Sequence, residues 1–124
     1  MDANQRQSDE LNNVEQYRDV GGLHWGPVLR QRLFGYRGAT WPFATVVITP
    51  EKVTITVTSF THCRVYECFE FEKHELTGIR PVYGLLTPGI VFEHSKSYYP
   101  TLLRFYSFKR NRLVQELRRF GYQV

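Results

Sequence analysis

The chain has 124 residues, 42% of them apolar and 15% aromatic, which supplies one hydrophobic core and leaves no room for two domains of ordinary size. No window approaches the roughly 20 apolar residues of a membrane-spanning helix, and Met1–Gln5 lacks the basic and apolar regions of a secretory leader, so a soluble cytoplasmic protein is expected. The formal charge of +4 is unevenly spread: residues 1–24 carry Asp2, Asp9, Glu10, Glu15 and Asp19 against Arg6 and Arg18, whereas residues 100–124 carry Arg104, Lys109, Arg110, Arg112, Arg118 and Arg119 against Glu116 alone.

Residues 1–24 are polar and end in Gly21-Gly22, with one weak helical phrase in which Leu11, Val14 and Tyr17 recur at spacing three. Three apolar residues cannot hold a helix in water, which predicts a flexible arm over 1–24 preceding a domain over 25–124. From Leu23 the aromatics begin. Leu23 to Pro27 reads as an entry loop, Val28 to Tyr36 as a first strand and Arg37 to Thr40 as a turn.

A strand over Ala44–Thr49 follows, then a turn at Pro50-Glu51-Lys52. Val53–Thr58 comes next, alternating Val53, Ile55 and Val57 with threonines as a sheet with one wet face requires. The run Arg64–Glu72 continues the meander. In Leu76–Val82, Gly78 and Pro81 argue for an edge or bulged strand. Ile90–His94 and Leu102–Tyr106 complete about seven strands.

The chain closes on a helix over Phe108–Phe120. Ser107 is placed to cap its start and Gly121 to take the left-handed position after its end. Leu113, Val114, Leu117 and Phe120 fall on one stripe of period 3.6, so this helix is expected to pack as a lid on the curved sheet.

The order of seven antiparallel strands and one amphipathic helix resembles that of pleckstrin-homology-like (PH-like) domains. Trp41-Pro42-Phe43-Ala44, Leu86 to His94, Tyr99-Pro100 before Leu103 to Tyr106, and Phe120-Gly121-Tyr122 look like small bacterial domains of this PH-like or GRAM-like group. The resemblance spans residues 28–124. It implies a barrel of two nearly orthogonal sheets plugged by the helix, and it carries over no catalytic residue. Arg30, Arg32 and Arg37 are diluted by Leu33, Phe34, Gly35 and Tyr36, unlike the basic first loop with which true pleckstrin-homology domains hold inositol phosphates.

Cys63 and Cys68 are five apart, so a regular strand points them to opposite faces and both are expected as free thiols. His62, Cys63, Cys68, His74 and His94 lack the paired spacing of a metal site, and no cofactor is expected. His94 reads as a half-buried histidine with a backbone partner. Glu67, Glu70, Glu72 and Glu75 read as a solvated sheet face or as partners of the basic helix.

Two surfaces remain as binding candidates. Lys109, Arg110, Arg112 and Arg119 form a candidate anion-facing or partner-facing patch, opposed by the reading in which they pair with the 67–75 acidic run. Tyr83, Tyr98 and Tyr99 sit in loops beside Arg80 and Lys96 as a candidate interaction surface. The function expected is a binding or scaffold module and not an enzyme, with a protein or peptide partner. An anionic membrane surface or another polyanion at the basic helix is the alternative, and a small-ligand cup in the curved sheet a further one. Nucleic acid is not expected.

Overall fold

The computed structural model describes residues 15–26, 37–58, 65–82 and 88–124. These form one seven-stranded antiparallel sheet, curled into a half-barrel, and a C-terminal helix. The strands are β1 (Tyr17–Gly26), β2 (Arg37–Ile48), β3 (Lys52–Thr58), β4 (Val65–Glu72), β5 (Leu76–Val82), β6 (Gly89–His94) and β7 (Leu102–Tyr106), with helix α1 over Arg110–Arg119. Their order in the sheet is β4-β3-β2-β1-β7-β6-β5, so two meanders meet where β1 pairs with β7.

Residues 17–24, expected within a polar arm, are the larger part of β1, the strand that joins the two meanders. Gly21-Gly22, the expected end of the polar stretch, is the point at which β1 gains its second partner. Tyr17–Trp25 pairs with β2, and Gly22–Gly26 pairs with β7 as well. A Cβ on Gly21 would lie 2.0 Å from the Tyr106 carbonyl oxygen, and one on Gly22 would lie 2.9 Å from that of Ala39, so backbone approaches here that only glycine allows.

The expected strand over 28–36 and the arm before Glu15 lie outside the described residues. The turn expected at Arg37–Thr40 belongs to β2, which continues through a cis Trp41-Pro42 bond and bulges opposite Gly22. In β5 the expected irregularity is present: the strand is an edge of the sheet, and its register shifts between Leu76 and Gly78.

The concave face carries the core. Ile55 and its alternating neighbours Val53 and Val57 are buried there with Phe71, Phe92 and Phe105, and the threonines of β3 point outward. Leu113, Val114, Leu117 and Phe120 are buried against the same core, as the stripe requires. Burying Leu113 and Leu117 stabilises the fold by about 1.5 to 3 kcal/mol each.

The helix ends as its sequence indicates. Gly121 takes φ +90°, its N–H donates to the Arg118 carbonyl at 3.0 Å, and the Tyr122 N–H reaches back to the Leu117 carbonyl at 2.9 Å. The start is displaced. Ser107 is buried, and its Oγ accepts the Lys109 N–H at 2.9 Å, ahead of the first helical residue, while donating to the buried Asp19 carboxylate.

Candidate functional site

The two edges of the sheet, β4 and β5, are joined by one turn of 3-10 helix over Lys73–Glu75. Beyond that turn they are treated differently. On β4, the connection from β6 to β7 folds across the edge. Lys96 Nζ donates to the Glu70 carbonyl at 2.6 Å, and the Glu70 N–H donates to Tyr99 Oη at 3.4 Å. The Tyr99 ring stands edge-on to Phe69 and Phe71, at 5.4 and 5.3 Å between centroids.

Lys96 completes the seam. Its ammonium lies 3.3 Å from Glu75 and 4.9 Å from the centre of the Tyr99 ring. Burial pulls its pKa down, but Glu75, Tyr99 and Tyr98 outweigh that and hold it above the ordinary value. The Glu75 carboxyl is held below its usual range, first by the Glu72 N–H at 2.9 Å and then, against burial, by Lys96.

His94 supports the strap from beneath. Its Nε2 meets the Pro100 carbonyl at 2.6 Å and its Nδ1 accepts the Lys96 N–H at 3.0 Å, which fixes the neutral ring with its proton on Nε2. The expected backbone partner is thus present twice.

On β5, the outer N–H and C=O groups have no strand partner among the described residues. Leu76–Arg80 of this strand line a groove of about 520 Å³ whose far wall is the segment after α1: Gly121, Tyr122, Gln123 and Val124. Leu76, Ile79 and Val124 give the groove apolar lining, and Lys73 and Arg80 stand on its rim.

The far wall is fastened. Lys73 Nζ donates to the Phe120 carbonyl at 2.6 Å, where the negative end of the helix dipole welcomes a cation, and lies 4.7 Å from the centre of the Tyr122 ring. Tyr122 Oη donates to the Thr49 carbonyl at 2.8 Å. Burial, and secondarily the nearby Glu51 carboxylate, push its pKa up to about 12.

The side chains of the predicted basic patch have different partners. Arg112 and Arg119 both hold Glu116, at 3.1 and 2.7 Å, and this carboxylate is only 7% exposed on the flank of the apolar stripe. The Arg119 hydrogen bond, against burial and with help from Arg112, keeps the Glu116 carboxyl below the usual range. Arg119 also approaches Glu15 at 3.9 Å, and the Arg112 guanidinium lies 5.8 Å from the Tyr17 ring centre. Arg110 Nη1 donates to the Val82 carbonyl at 3.3 Å. Lys109 is exposed.

No ion pair joins α1 to the 67–75 acidic run among the described residues. That run pairs locally, Glu70 with Lys52, Glu72 with His74 and Glu75 with Lys96. The buried Glu116 was missed in the sequence. Its signal was arginine at both i−4 and i+3, the spacing at which helix side chains meet.

Of the predicted tyrosines, Tyr98 is 63% exposed and packs on Tyr99, whereas Tyr99 is half-buried in the seam. Tyr83 lies outside the described residues, as do His62 and Cys63. Cys68 is a free, exposed thiol, and among the described residues no three His, Cys, Asp or Glu side chains gather to hold a metal ion. No α-helix among them is long and apolar enough to cross a membrane. No protein-family model matches the chain, and no curated protein matches it.

Proposed function

We propose that this chain is a non-catalytic, PH-like binding module that takes an extended peptide as an added strand on β5. One observation carries the reading: an unpaired strand edge forms one wall of an open groove of about 520 Å³, and the segment after the helix forms the other. Unpaired N–H and C=O groups give a peptide main chain its affinity, and the apolar lining gives alternate side chains their specificity. The register shift between Leu76 and Gly78 bends the near end of the edge and Pro81 blunts the far end, which limits the added strand to the few residues from Thr77 to Arg80. The order of two meanders followed by a helix supports the PH-like build, and the free thiol of Cys68 suits a reducing, cytoplasmic setting.

Selection of peptides from a random library on the folded chain, followed by amide chemical-shift mapping, tests this. Bound peptides are expected to shift residues 76–80 and 121–124 and to slow hydrogen exchange along β5. Thr77→Pro, which sets a ring on the exposed edge, is expected to remove the binding. Shifts confined to the exposed face of α1, or peptides that bind Thr77→Pro as well as the parent, would overturn it.

A further inference from the structure

A second surface lies at the other end of α1, about 15 Å along the helix axis from the groove wall. Trp41, pushed out of β2 at the bulge, is 56% exposed, and Phe108, just ahead of the helix, is 69% exposed. The two rings meet edge to face at 6.0 Å, with exposed Pro42 and Lys109 next to them in the chain. Large aromatic side chains left in water, in contact with each other, signal an interaction site more than scattered apolar residues do.

The two segments that supply the rings carry charges of one sign. Neither residues 37–50 nor residues 95–115, the segments that supply the two rings, contain an aspartate or glutamate. The positive end of the helix dipole adds to this, and the nearby Asp19 carboxylate is buried and engaged by Ser107. The complement is therefore an anionic partner.

Its size follows from how many cations are available. Arg112 is bound to Glu116 and Arg110 to the Val82 carbonyl, which leaves the Lys109 ammonium without a side-chain partner among the described residues. One cation strengthens attraction to an anionic membrane only about fivefold. Nucleic acid likewise needs several neutralised phosphates. A single carboxylate beside an apolar side chain matches one ammonium beside two rings.

We infer that Trp41, Phe108 and Lys109 form a docking point for a short protein segment presenting an aliphatic or proline side chain next to one carboxylate. It is independent of the β5 groove. The rings receive the apolar side chain, and Lys109 receives the carboxylate.

The test uses the full chain and short synthetic peptides in which Asp or Glu adjoins Leu or Pro, matched peptides with Lys in place of the acid, phosphatidylserine-rich vesicles and oligothymidylate. The acidic peptides are expected to bind and to perturb Trp41 fluorescence, with the Lys versions at least about tenfold weaker. Trp41→Ala and Phe108→Ala should each lose about tenfold or more, and Lys109→Glu should reverse the charge preference. Thr77→Pro should change nothing, which separates this site from the groove. Phe108 is the more exposed of the rings, so Phe108→Ala serves if Trp41→Ala fails to fold. Absence of binding by every acidic peptide, binding indifferent to Phe108 and Lys109, or vesicle or oligothymidylate binding that depends on the same residues would overturn the inference.

Discussion

The β4 and β5 edges are built from similar strands and joined by a single turn, yet one is closed and the other open. On β4 an amphipathic strap lays a tyrosine over two phenylalanines, and both polar groups of the Glu70 backbone find side-chain partners. On β5 the facing segment stands off, held by Tyr122 on Thr49 and by Lys73 on the helix end, and a groove of about 520 Å³ runs between the two. An exposed strand edge is a standing invitation to pair with another chain, and most folds blunt it. Here side chains cover one edge and leave the other beside a groove, and that difference is what the proposed peptide site rests on.

Both edges depend on the curl of the sheet, and the substitution expected to cost most attacks the curl itself. In Gly21→Ala the new methyl would overlap the Tyr106 carbonyl at 2.0 Å and the Phe105 ring at 2.8 Å, so β1 and β7 must separate. A loss of more than about 4 kcal/mol is expected in denaturant melting, at the far end of what single substitutions do. A loss below about 1 kcal/mol would show that β1 and β7 do not approach as closely as described.

The closed edge is tested next. Tyr99→Ala removes a half-buried ring from Phe69, Phe71 and His94 and uncovers the Glu70 N–H. The expected loss is about 2 to 3 kcal/mol, short of a fully buried aromatic because part of the ring already meets water. Hydrogen exchange at Glu70 should quicken while β5 amides are unaffected. Equal quickening on both edges would mean that the strap holds the whole barrel and not one seam.

How much of this could be read in advance follows from where the signals are local. The alternation of Val53, Ile55 and Val57 and the stripe through Leu117 are periodic patterns over a few residues, and both elements stand where they were expected. The C-terminal turn is equally local, because Gly121 has only its own backbone to satisfy. The role of β1 is not local. Gly21-Gly22 carries the same letters whether it breaks a strand or admits two neighbouring backbones, and the carbonyl that decides the matter belongs to Tyr106. The same holds for the sites. Gly78 and Pro81 announced an edge strand, but the groove needs a segment some forty residues later, and nothing local to Arg112 and Arg119 said that both would be spent on Glu116.

The open edge has a pH signature through its far wall. In the unfolded chain the Tyr122 hydroxyl ionises near its ordinary value of about 10, whereas in the fold burial and Glu51 move this to about 12. The folded state therefore holds the proton more tightly, and the stabilisation is complete below pH 10 and lost as pH climbs from there through 12. Alkaline melting should show a steeper fall in the parent than in Tyr122→Phe, which has no proton to lose. Parallel curves would mean that Tyr122 is not buried against Thr49.

The smallest effect expected is on β5, and it mirrors the first. Gly78→Ala places its methyl 3.1 Å from Glu93 Oε2, a contact tighter than comfortable, but with the end of a side chain and not with backbone. Glu93 pairs there with Arg80, which is itself well exposed, so the carboxylate can give by a few tenths of an ångström without losing a buried partner. Against that small cost stands the gain from restricting the unfolded chain, about 0.4 to 1 kcal/mol when alanine replaces a glycine whose conformation it can share. Gly78 has none of the left-handed geometry that would forbid alanine. The two terms nearly cancel, and a change within about 0.5 kcal/mol is expected in denaturant melting. One and the same substitution, lethal to the fold at Gly21 and neutral at Gly78, would locate the rigidity of the sheet at the β1–β7 junction. A loss above about 1.5 kcal/mol at Gly78 would instead show that the outer face of β5 is clamped, and a clamped edge could not open to a peptide strand.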